Sequence, residues 1–197
     1  SYSGRMNVKV VCMDLSSPYR SLVQRCFPNA KIVADRFHVL KLVLSTFMDF
    51  CRDMQPNIKW KRPITGALRT HAANLKDETK PMLQAFLAEN PIIASAYDFK
   101  ERLCKLLNNK KKTRKQCLLL IRELKHYMEL MRTESTHHFH TLAETLSKWF
   151  EPIIRMWRFS KNRLFVQDHQ YGQYVSPYIQ CNAQRCDQGK RDDRPHP

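Results

Sequence analysis

NVKVVCMDLSSPYRSLVQRCFPNAKIVADRFHVL, residues 7–40, decides the fold class. Asn7 to Met13 is rich in valine and predicts a β-strand that ends at Asp14. Ser17 before Pro18 is a helix-start signal, because proline fits the first helical turn, where no N–H is needed. Tyr19, Leu22, Val23 and Cys26 then recur at helical spacing, and Phe27-Pro28-Asn29 ends that helix. Lys31 to Ala34 is a second short apolar run leading straight into Asp35. From Phe37 a long helical pattern continues to about Met54. Strand, helix, strand, helix is the unit of a parallel α/β sheet.

Beyond this unit the pattern turns helical. Leu75 to Leu87 and Pro91 to Leu107 read as helices. Cys117 to Met131 carries Leu118, Ile121, Leu124, Tyr127, Met128 and Met131 on one stripe and predicts an amphipathic helix. A further helix begins near Ser135, carries Phe139, Leu142, Leu146, Trp149 and Phe150, and is interrupted or restarted at Pro152. No strand pattern occurs between residue 55 and residue 160, and 163–197 shows no sustained periodicity. The expectation is an α-rich α/β chain in three parts: an α/β unit at 1–54, a helical region at 55–162 and an irregular tail at 163–197.

Composition narrows the partners. Thirty-four Lys and Arg against 18 Asp and Glu give a net charge of +16. So large an excess favours a polyanion, nucleic acid first, although ribosomal proteins, membrane-surface proteins and simple solubility also produce it. No apolar run approaches the ~20 residues that span a bilayer, and no signal-peptide pattern follows Ser1. The opening residues run directly into a strand, so the chain is expected to start in mid-domain. Seven scattered cysteines, odd in number and without a C-x-x-C pair, read as small core hydrophobes in a reducing, cytoplasmic compartment.

The strand ends carry the chemistry. In open α/β sheets ligands sit outside the carboxyl ends of the strands, where Asp14 and Asp35 fall, with His38 one helical turn beyond Asp35. Two such carboxylates can hold a hard cation such as Mg²⁺ and so serve phosphodiester chemistry. A plainer reading stands beside it: Asp14 as a turn residue, Asp35 as the N-cap of the next helix. The run Lys110, Lys111, Lys112, Thr113, Arg114, Lys115 suits phosphate contacts, and equally a solvated helix start. His137, His138 and His140 match no standard metal spacing, Trp149 and Trp157 read as core, and Cys181 and Cys186 are too isolated for a zinc site.

The wording of the sequence goes further. Met13-Asp14-Leu15, Tyr19, Phe27-Pro28-Asn29-Ala30 and Asp35-Arg36-Phe37-His38-Val39 follow one another in an order and spacing that resembles bacterial insertion-sequence transposases of the ISL-three type. A second block resembling the same family runs from Trp149 to Asn162, WFEPIIRMWRFSKN, and the likeness covers roughly residues 5 to 162. It implies a partial RNase-H-like core followed by an all-helical insertion. It also implies Mg²⁺-dependent (or Mn²⁺-dependent) DNA cleavage and strand transfer by three acids of DDE type, acting on transposon ends. On this likeness Asp14 is the candidate second acid and metal ligand, Asp35 the other candidate for that role, and His38 a near-site residue. Two departures follow. The family's first aspartate belongs to a strand before Ser1, and its glutamate should follow Asn162, yet no glutamate occurs after Glu151. The chain alone is therefore expected to be inactive, keeping at most DNA or partner binding. With its early strands missing it is expected to expose an unpaired sheet edge and self-associate.

Overall fold

A computed structural model describes residues 5–110, 112–133 and 136–159, the side chain of Lys59 excepted. The valine-rich run forms β1 (Val10–Met13), shorter than the expected Asn7–Met13, although pairing reaches back to Lys9, whose carbonyl accepts from Lys31 N–H at 2.9 Å. Helix α1 (Ser17–Cys26) starts at the serine before Pro18 and leads to β2 (Lys31–Ala34). The strands are parallel, in the register Val10↔Lys31 to Met13↔Ala34, as the βαβ pattern predicts. Val11 and Ile32 face one side and pack with Val23 of α1. Val33 and Ala34 belong to a larger core shared with the helices that follow.

In a parallel ladder alternate residues send their N–H and C=O groups to opposite edges. Lys31 and Asp35 donate toward β1, so Ile32 points its carbonyl the other way, where Arg155 Nη1 donates to it at 3.3 Å. Among the described residues the sheet has these two strands only.

Helix α2 (Arg36–Met54) is the organiser of the helical region. Val39, Val43, Phe47, Met48, Phe50 and Cys51 form its buried stripe, which packs chiefly on α5 (Pro91–Leu107) and α7 (His137–Lys148). Phe50 meets Phe139 at 5.3 Å between ring centroids, and Phe47 meets Tyr97 at 6.1 Å. The core is thus continuous across residue 54. A 3-10 turn (Pro56–Trp60) and α3 (Arg62–Arg69) follow α2. Helix α6 (Arg114–Thr133) packs antiparallel-hairpin fashion with α7, and α8 (Phe150–Met156) lies against β2. Trp149 and Trp157 are buried, as expected of core residues.

Two expectations shift. The stretch from Leu75 is not helical from its start: short 3-10 turns occupy Ala72–Asn74 and Asp77–Thr79, and α4 runs Lys80–Glu89. Pro81 explains this, since proline is tolerated only in a helix's first turn, which sets the start at Lys80. On α6 the buried residues are Cys117, Leu124, Met128 and Met131, while Leu118 is 54% exposed. The stripe is anchored one residue earlier than expected, a rotation of about 100° at that end. Among the described residues no helix is long and apolar enough to cross a membrane. The tail 163–197, with Cys181 and Cys186, lies outside the described residues, as does Lys111.

Candidate functional site at the strand rim

Asp14 and Asp35 occupy the register position just past Met13↔Ala34, at the carboxyl end of both strands. Asp35 N–H still donates to Met13 O at 2.7 Å, so the two backbones remain neighbours there. Each aspartate fills the plainer role its position allows. Asp14 Oδ1 accepts from Ser16 N–H at 3.2 Å, closing the turn into α1. Asp35 is the N-cap of α2, with Oδ1 accepting from Phe37 N–H at 3.2 Å, and Oδ2 lies 2.6 Å from His38 Nδ1. These bonds do not exhaust a carboxylate, which offers about four acceptor sites. The second oxygen of Asp14 has no hydrogen bond among the described residues.

The donor chemistry suits a hard cation, but among the described residues the number of donors falls short. Mg²⁺ asks for near-octahedral oxygen coordination, partly from water. Among the described residues no group of three or more His, Cys, Asp or Glu side chains gathers to hold a metal. Glu151, the chain's last glutamate, pairs instead with Arg155 Nη2 at 3.0 Å.

The capping role gives a check on stability. Asp35→Ala is expected to destabilise the protein by about 1 kcal/mol, whereas Asp35→Asn, itself a good cap, should stay within a few tenths. Urea unfolding of both variants measures this, and equal losses would show that charge, not capping, is what the position supplies.

Arg36, quoted in the sequence only as part of a motif, turns out to be the joint of the site. Its Nη2 donates to Asn109 O at 2.7 Å and to Met156 O at 3.0 Å. Both carbonyls lie at helix C-termini, α5 and α8, where the dipole's negative end attracts a cation. Burial pushes the Arg36 guanidinium below its ordinary value, and the adjacent Asp35 pulls it back up. Arg20 acts alike at the end of α7, donating to Lys148 O at 2.8 Å and lying 5.0 Å over the Trp149 ring. Neither role is legible in sequence, because both depend on helix ends brought in from more than a hundred residues away.

The bond to Asn109 has a second consequence: the basic run starts at the next residue, Lys110. Lys110, Arg114 and Lys115 are exposed. Lys112 N–H is tied to Trp157 O at 3.1 Å, and Thr113 and Gln116 cap α6 reciprocally, at 3.0 and 3.3 Å. Burial pushes the Cys117 thiol up, with Arg158 and Lys112 pulling partly against it, so Arg158 joins this basic end, a residue the sequence reading missed. Cys12, between the strands' core and the rim, has its thiol pushed up to about 11 by burial and then by Asp35, which leaves it protonated at neutral pH. Among the described residues the histidines near 137 form no metal group; His138 Nε2 lies 2.7 Å from Asp53 Oδ2.

A parallel βαβ unit with two rim aspartates, joined through Arg36 to a helical region and its basic run, defines an α-rich α/β protein. A family model described as transposase, of the ISL3 type, matches residues 1–163, and the chain belongs to that transposase family. Neither the curated proteins nor the solved structures returned a match.

Proposed function

We propose that this chain is a DNA-binding polypeptide of transposase origin, built on part of an RNase-H-like core with a helical insertion, and that its 197 residues do not cleave DNA by themselves. Asp14 is the acid that would hold Mg²⁺ or Mn²⁺, which in the complete set would activate and stabilise the reacting oxygens of a phosphodiester. Asp35 is the other candidate for that acid, and His38 steadies it. Lys110, Lys111, Lys112, Arg114 and Lys115 contact the phosphates of DNA, transposon ends in the first place. The single observation that supports this reading most is the Arg36 bridge, which ties the residue after Asp35 to Asn109, the residue before the basic run. DNA lying on the lysines therefore passes near the metal-type acids.

Catalysis by these residues alone lacks ligands. Two rim acids are too few for two-metal strand transfer. The second reading is a non-enzymatic role, in which the polypeptide occupies DNA ends, or associates with itself or with an intact transposase through the edge of β1 that pairs with no strand among the described residues.

Duplex binding followed by fluorescence anisotropy tests the reading. Affinity should fall steeply with salt, each neutralised phosphate contributing about 0.9 to the log–log slope. Replacing Lys110, Lys112, Arg114 and Lys115 by glutamine should weaken binding about tenfold or more. Incubation with Mg²⁺ or Mn²⁺ should leave the DNA intact. Cleavage by the purified chain contradicts the inactivity, and salt-independent or absent DNA binding removes the function altogether.

A further inference from the structure

A second basic surface lies away from the rim. Helix α3 is two-faced: Ile64, Ala67 and Leu68 are buried, while Arg62, Thr65, Gly66 and Arg69, at i, i+3, i+4 and i+7, line an open cleft. Met48 and Arg52 of α2 and Ile58 of the intervening turn complete it, and its volume is about 360 Å³. Arg52 is paired with Asp49 at 2.6 Å, whereas Arg62 and Arg69 have no ion-pair partner among the described residues. Three arginines thus line a cleft with one local acid, and planar guanidinium forks match phosphate oxygens. At Gly66 an added Cβ would meet nothing within 4 Å, so the glycine keeps the cleft open and packing does not require it.

The turn that enters this cleft reads Ile58-Lys59-Trp60-Lys61-Arg62. Trp60 is 75% exposed, whereas Trp149 and Trp157 are 2% and 0% exposed. Leaving an indole that far in water forfeits the burial that large aromatic side chains usually gain. An aromatic face between basic residues is what unpaired bases stack on, and a base inside an intact duplex cannot reach it.

We propose that the cleft between α2 and α3 is a nucleic-acid site separate from the strand rim. It takes backbone phosphates of an unpaired DNA strand on Arg52, Arg62 and Arg69 and stacks a neighbouring base on Trp60. The proposal rests on the DNA-binding reading above and adds the strand form and the residues that hold it.

Trp60 is itself the reporter, because the other two tryptophans are buried. Titrating the full chain with a single-stranded oligonucleotide should quench tryptophan fluorescence, and the matching duplex should quench far less. Trp60→Ala should weaken single-strand binding about tenfold, the size expected of one stacked base. Arg62→Gln with Arg69→Gln should lower the salt slope for the single strand by about 1.4. Gly66→Met, which fills the cleft and leaves every charge in place, should weaken it as well; circular dichroism establishes that each variant is folded. Glutamine replacements at Lys110 and Lys115 should reduce duplex binding and leave the quenching.

Normal anisotropy binding without quenching, unaffected by the cleft variants, overturns this site and leaves the DNA reading standing. Equal quenching by duplex, or by poly-glutamate, overturns it in favour of a general polyanion surface. No binding of either DNA form removes both proposals together.

Discussion

Arg36→Ala is expected to destabilise the protein by about 3 kcal/mol, two charge-assisted hydrogen bonds at about 1.5 kcal/mol or more each. In urea the midpoint should fall by about 1–2 M for a slope typical of a chain this size. One guanidinium holds the ends of α5 and α8 to the rim, through Asn109 O at 2.7 Å and Met156 O at 3.0 Å. Its removal leaves two helix-end carbonyls short of a donor and loosens α8 from β2. Lysine is a poor replacement, since its flexible stem does not hold one nitrogen fixed between the two carbonyls as the planar guanidinium does. Arg36→Lys should therefore recover less than half the loss. In both variants Asn109 N–H and the amides of Lys112 and Thr113 should exchange hydrogen faster, because the basic run loses its anchor. A midpoint unchanged in Arg36→Ala would mean that the two halves are held by packing alone, and the juxtaposition of rim and basic run would lose its cause.

Lys100→Ala should have the larger effect, about 3–5 kcal/mol, the usual loss when one member of a buried ion pair is removed. Lys100 is the one charged side chain found buried among the described residues, 2% exposed in the middle of α5. Its ammonium lies 2.5 Å from Glu101 Oε1, donates to Leu68 O at 3.1 Å and sits 4.1 Å from the Tyr97 ring centroid. Glu101 in turn accepts from Ala72 N–H at 3.1 Å through Oε2, so the pair fastens α3 and the turn after it to α5. Burial, and then Glu101, pushes the Tyr97 hydroxyl up to about 12, which keeps that ring neutral beside the ammonium. Lys100→Met, which keeps the apolar stem against Phe47 and Tyr97, should recover part of the loss but not the bond to Leu68 O. If alanine and methionine behaved alike and both lost under 1 kcal/mol, the ammonium would be solvated in solution and the pair would not bind α3.

Much of the α/β unit was legible because its signals are local. Valine-rich residues before Asp14, the Ser17-Pro18 start and the run into Asp35 each act within a few residues, and β1, α1, β2 and α2 appear where they point. The start of α5 at Pro91 was legible for the same reason. The site was legible as residue types at strand ends, and so were the two plain roles, turn and N-cap, that Asp14 and Asp35 hold. The segment from Leu75 misled because its apolar spacing is helical while Pro81 forbids a helix through it. The stripe on α6 misled because Leu118 and Cys117 are both apolar, and only the packing against α7 chooses between them.

By itself the sequence determined the parallel unit, the carboxylates at its rim and the membership of the transposase family, since these follow from short-range spacing and the order of motifs. Only the tertiary structure decided what the arginines do. A guanidinium reads the same in every position along a chain; its role depends on which carbonyls, rings or open clefts distant segments bring within reach. Arg36 became a clamp between helix ends, and Arg62 and Arg69 were left facing water, because packing satisfied the one and not the others.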